Sequence, residues 1–224
     1  MSQTQSKTSL SNSNFLNLHI CDNPVIQNMV TQIRDKNTSV PIFRENVKKI
    51  SHYITYEASI DIKGEEILID TPLEQTKGIV INERNIVFIP ILRAGLGMLE
   101  GALNIFPNAT VYHVGLYRDE ETLEPVEYYV KIPEKAFNKT HMLFILDPML
   151  ATGGSAVSTV DILKNKGACN IKFLSIISAP EGVKNLNENH SDVSIYTASL
   201  DRQLNDKGYI LPGLGDAGDR IYGT

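Results

Sequence analysis

Residues 141–167 read HMLFILDPMLATGGSAVSTVDILKNKG. The first six form an apolar run with the length of a buried strand, and residues 154–167 space their apolar side chains for a helix. Between the two stand one acid, Asp147, and the adjacent glycines Gly153 and Gly154, flanked by Thr152 and Ser155. A plain strand-to-helix turn needs neither a carboxylate nor so many small and hydroxylated residues. The first turn of a helix carries unpaired N–H groups and the positive end of the dipole, so it favours an anion. Glycines let that anion come close to the backbone. The competing reading is local: Thr152 or Ser155 simply caps the helix. Asp147 at the strand tip shifts the balance toward a phosphorylated sugar, with the loop taking the phosphate and the acid accepting hydrogen bonds from ribose hydroxyls.

Working outward, apolar or β-branched runs recur at 65–70, 85–92, 110–117, 171–178 and 194–199. Helical spacing appears at 24–36, 41–58, after residue 92 and at 179–190. Strands alternating with helices predict an α/β fold, a mostly parallel twisted sheet flanked by helices, with two helices at its N-terminal end. Ligands of such sheets bind beyond the carboxyl ends of the strands. That rule gathers RAGLG (93–97), YRDEE (117–121) and DPMLATGGS (147–155) in one place. The polar residues 1–14 predict a disordered tail, and residues 15–224 a single domain.

With 21 basic against 26 acidic residues the net charge is −5, far from the basic field that binds nucleic acid. Two distant cysteines, Cys21 and Cys169, and five scattered histidines give no zinc spacing and suit a reducing compartment. No run approaches the roughly 18 apolar residues of a membrane span. The N-terminus lacks the apolar core of a signal peptide. A cytoplasmic location follows as the expectation.

Two glycine patterns invite a nicotinamide-cofactor reading. GLGDAG (213–218) leaves only six residues after Gly218, and GLGMLEG (95–101) is separated from its strand by Arg93 and Ala94. Neither meets the requirement of strand, helix and an acid roughly 20 residues on. No G-K-[ST] phosphate loop occurs.

PILRAGLGM (90–98), YRDEETLEP (117–125), DPMLATGGS (147–155), APEG (179–182) and YILPGLGDAGDRIYGT (209–224) together resemble the uracil phosphoribosyltransferase family, of the type I phosphoribosyltransferases. The likeness runs from about Pro41 to Thr224. It implies transfer of phosphoribose from phosphoribosyl pyrophosphate (PRPP) to uracil, giving UMP and diphosphate with Mg²⁺. It also implies that Arg93 and Arg118 bind the pyrophosphate end. Asp147, Pro148, Met149, Leu150, Ala151, Thr152, Gly153, Gly154 and Ser155 would hold the ribose 5-phosphate. Ile210, Gly215, Asp216 and Ala217 would meet uracil, with Asp216 also facing PRPP and Asp147 and Asp216 catalytic. Pro148 stands where the wider superfamily carries a second acid, as in the uracil branch, and no protein ligand to Mg²⁺ is assigned. The resemblance further implies a homodimer or larger homo-oligomer and, in some relatives, a GTP effector. The charged stretch 119–135 is read as a hairpin, with a closing hood as its functional version. A nucleotide-sensing regulator on the same fold is the alternative from another class, and the acidic charge argues against it.

Overall fold

The computed structural model describes residues 17–118 and 125–224, with Tyr117, Arg118 and Pro125 described by backbone alone. The tail at 1–14 and the tip of the 119–135 hairpin therefore lie outside the described residues. The elements run β1 (Leu18–Ile20), α1 (Pro24–Arg34), α2 (Val40–Ala58), β2 (Glu65–Asp70), β3 (Gln75–Val80), β4 (Ile86–Leu92) and α3 (Leu96–Leu103). There follow β5 (Thr110–Val111), β6 (Val114–Arg118), β7 (Pro125–Val130), β8 (Met142–Leu146), β9 (Met149–Leu150) and α4 (Gly154–Asn165). The chain ends with β10 (Asn170–Ser178), α5 (Pro180–Asn189), β11 (Ser194–Leu200), β12 (Gln203–Leu204), β13 (Ile210–Leu211) and α6 (Ala217–Tyr222).

The main sheet has the order β1-β11-β10-β8-β4-β6-β7, with β5 beside β4 and β9 beside β10. Every pair in it is parallel except β6 with β7. The period-2 alternation of strands divides the core into two layers. Phe88, Phe144, Leu146 and Leu174 face α1, α2 and α3 on one side, while Ile89, Leu143, Ile145 and Phe173 face α4 and α5 on the other. All eight are fully buried, each side chain worth about 1.5–3 kcal/mol of transfer free energy.

The α/β architecture expected from the sequence is the one observed. Two local expectations need correction. The 110–117 run breaks at Tyr112 and His113, because β5 pairs one end of β4 and β6 the other. EEILID is a strand but stands outside the main sheet, as one arm of the antiparallel β2–β3 hairpin, whose tight turn is stitched by Thr71 and Glu74. At the C-terminal end residues 217–222 form a short helix whose N-cap is Asp216, its Oδ1 accepting from Asp219 N at 2.9 Å.

Candidate active site

β8 delivers Asp147 to the carboxyl edge of the sheet. The chain does not leave the sheet there. Asp147 N donates to Leu174 O, and the Pro148 carbonyl accepts from both Ile176 N and Ile177 N. Proline fits because nothing at this position asks for an N–H. β9 then pairs with the last residues of β10. Its extended backbone turns Leu150 into the core and leaves Met149 and Ala151 on the opposite side, lining a cavity.

The entry to α4 decides between capping and anion binding. The N-cap is Gly153, at φ +84°, and no side chain caps the helix. Among the described residues the Thr152 and Ser155 hydroxyls make no hydrogen bond within the chain, and both residues are half-buried. The first-turn N–H groups and two hydroxyls thus remain for a ligand. Gly153 is required twice over. Its φ is one that side chains rarely adopt, and a Cβ there would lie 2.8 Å from Gly182 O.

Asp147 is half-buried at the strand end. Burial pushes its carboxyl up to about 7; the nearby Asp216 charge adds to this, and the hydrogen bond from Met149 N opposes it. Two mutually repelling acids at the edge of a cleft are a functional signature. They are also the arrangement that a sugar hydroxyl, a cation or a developing positive charge relieves.

The second wall comes from the C-terminal segment. A cavity of about 310 Å³ is lined by Met149 and Ala151 on one side and by Ile210, Gly215, Asp216 and Ala217 on the other. Six residues expected at the site are thus brought together. Lys207, Gly208 and Tyr209 complete the lining. Tyr209 opens the 209–224 stretch, whereas Lys207 and Gly208 escaped the sequence reading because a solvent-like KG turn carries no chemical signature of its own.

The remaining expected residues are nearby. Gly95 packs so tightly that a Cβ would meet Leu146 O at 2.3 Å, placing the Arg93 loop beside the strand end that carries Asp147. The Leu92–Arg93 peptide is cis. The Arg93 guanidinium lies over the Tyr222 ring at 5.7 Å, and Tyr222 Oη donates to Arg93 O at 2.8 Å. Arg93 is exposed and does not line the cavity. Arg118 ends β6 on the same edge of the sheet as Arg93, and its side chain lies outside the described residues.

What holds the C-terminal wall could not be read from the sequence. Arg34, in the last turn of α1, grips Asp201 with two hydrogen bonds and also donates to Gly213 O at 2.7 Å. Asp201 accepts in turn from Gly213 N and from Ser199 Oγ. Burial alone would raise the Asp201 carboxyl, but the hydrogen bond and charge of Arg34 outweigh it and hold the group below the usual range. Arg220 donates to Ile33 O, Asp35 O and Leu214 O and stacks over Phe43 at 4.4 Å. It ties α6 to the C-terminal end of α1, where a cation is favoured.

A mostly parallel sheet whose carboxyl edge carries a glycine-opened helix without a side-chain cap, two neighbouring acids and an adjoining cavity has the architecture of a type I phosphoribosyltransferase. The family model for uracil phosphoribosyltransferase matches residues 20–224. The chain is 55% identical over 207 residues to a uracil phosphoribosyltransferase of Fervidobacterium nodosum, covering 92% of this chain and 99% of that one. It is 52% identical over 205 residues to the enzyme of that name from Enterococcus faecalis, covering 92% and 97%. A solved protein of Aquifex aeolicus superposes with a TM-score of 0.84 at 44% identity, covering 92% of this chain and 97% of that one. The chain belongs to the uracil phosphoribosyltransferase family.

Proposed function

We propose that this chain is a pentosyltransferase that joins uracil to the ribose of PRPP, giving UMP and diphosphate. The observation that carries the reading is the single cavity shared by Met149 and Ala151 of the phosphate cradle and by Ile210 and Gly215–Ala217. A base seated there lies next to a sugar whose 5-phosphate occupies the 152–155 cradle. Residues 15–224 act as one catalytic domain.

Displacement at the ribose C1 builds positive charge on the sugar and negative charge on the departing diphosphate. Interactions that strengthen as those charges develop accelerate the step. Asp147 accepts from the ribose hydroxyls, and its anionic form stabilises the cationic sugar. Asp216 faces both the base and the sugar. Arg93 and Arg118 neutralise the diphosphate; Arg93 sits on a turn pinned against the strand end, so its position is set before substrate arrives. Backbone N–H and C=O groups around Ile210 and Gly215 read the uracil edge, and cytosine would leave them with mismatched donors and acceptors.

Magnesium fits this site. Asp216 lines the cavity, and its charge reaches Asp147. Substrate phosphates would hold the ion, supplying a charge that offsets the departing diphosphate. A GTP effector is carried by the family likeness alone, and no residue is assigned to it. The β2–β3 hairpin supports self-association: Leu68, Leu73 and Ile79 are 63%, 95% and 78% exposed, and a two-stranded ribbon is marginal unless something covers it. Among the described residues no helix is long and apolar enough to cross a membrane, and action in the cytoplasm suits the two free thiols.

The test is product formation from labelled uracil, PRPP and Mg²⁺, with cytosine, hypoxanthine and orotate in parallel. UMP from uracil alone supports the reading. Product with another base would overturn the base specificity, and no product from folded protein would sink the activity.

A further inference from the structure

The APEG stretch at 179–182 is one of those that carry the family resemblance. It opens α5, and this helix end touches both walls of the cavity. On the cradle side, Ala179 N donates to Leu150 O at 2.9 Å and Asn185 Nδ2 donates to Thr152 O at 2.8 Å. Gly182 lies flat against the same backbone, where a Cβ would meet Ala151 O at 2.4 Å. On the other side, Glu181 Oε1 accepts from Leu204 N at 3.0 Å. Leu204 is paired with Ile210 across the β12–β13 ribbon. An acid in a first helical turn needs no more explanation than the dipole. This one reaches 23 residues along the chain to an N–H at the outer edge of the ribbon.

We infer that Glu181 is a positioning residue for the base. It fixes the ribbon that carries Lys207–Ile210 at a set distance from Met149 and Ala151, and so sets the width of the cavity between them. The inference rests on reading that cavity as the uracil site. The cradle is anchored to α5 by three separate contacts, whereas a single side chain anchors the ribbon to α5 in this way. Loss of the carboxylate therefore loosens the base wall and leaves the phosphate wall in place. Glu181 is exposed, so its removal leaves the core untouched.

The experiment is steady-state kinetics of Glu181→Ala and Glu181→Gln, with thermal melts. The expected result for Glu181→Ala is a KM for uracil raised about tenfold, the scale of one lost hydrogen bond to a charged group. Its KM for PRPP and its melting temperature stay near those of the unchanged protein, and its preference for uracil over cytosine falls. Glu181→Gln keeps an acceptor oxygen and restores most of the loss. A purely structural role would lower the melting temperature and move both KM values together, which overturns the inference. Gly215→Ala serves as the reference for the cavity itself. If it raises the KM for uracil while Glu181→Ala does not, Glu181 is sunk and the cavity stands. If neither variant changes the KM for uracil, the base-site reading fails and takes this inference with it.

Discussion

The loop proposed as the phosphate cradle and the wall proposed to hold the base meet in one cavity but are built in opposite ways. Residues 147–155 form a continuous strand-to-helix passage, and most of their chemistry is local: a carboxylate at a strand tip and a helix opened by glycine without a side-chain cap. The wall at 207–217 closes locally around Asn205, but its place against the cavity is set from elsewhere. It is held by Arg34 from the first helix, by Asp201 after β11, by Arg220 reaching back to α1 and by Glu181 from α5. A cradle of the first kind depends on its own backbone and on the adjoining β10 and α5. A wall of the second kind can be broken from 180 residues away in sequence.

The largest effect should come from the remote support. Arg34→Ala leaves the Asp201 carboxyl, 3% exposed, with no cation, a change that costs roughly 3–5 kcal/mol for a buried pair. Urea unfolding should show that loss, and the surviving enzyme should have a raised KM for uracil. An unchanged midpoint would break the contrast at its strongest point. Next is Gly153→Ala. Strain at φ +84° and collision with Gly182 O should cost about 1–3 kcal/mol and weaken PRPP binding far more than uracil binding.

Asp147→Asn should keep the fold and lower kcat by about a hundredfold, as for loss of one preorganised electrostatic partner. The same variant has a signature in stability. A carboxyl raised to about 7 in the folded protein, against about 4 in the unfolded chain, keeps a proton that the unfolded chain releases. Folded protein without substrate therefore loses stability as pH rises from about 4 to 7. Asp147→Asn should remove that slope and be the more stable form at pH 8, with the advantage vanishing near pH 4. Thermal melts across this range check the sign. The smallest effect belongs to Lys207→Ala. The side chain is exposed at the cavity rim, so stability should move by less than about 0.5 kcal/mol, while the KM for uracil rises a few-fold.

The same contrast explains what could be read from the letters. Apolar or β-branched runs placed β4, β8, β10 and β11, and helical spacing placed the five longer helices, because burial writes itself into the sequence at short range. FILDPMLATGGS showed its acid and its glycines for the same reason. The capping alternative was open there because Thr152 and Ser155 are both competent caps, and only the left-handed backbone of Gly153 excludes them. Nothing in PVIQNMVTQIRDK says that Arg34 reaches Asp201, since that arginine looks like any solvated end of an amphipathic helix. Lys207 was equally silent. β1 and β12 are too short to carry a period. β3 was hidden because its alternation faces no core, with five of its six residues exposed.

The central claim is that one ligand spans the local cradle and the assembled wall. Amide hydrogen exchange with and without UMP tests it most directly. The account predicts added protection in residues 149–155 and 207–217 together, at the same UMP concentration. Protection of the cradle alone, with 207–217 exchanging as in the free protein, would contradict it.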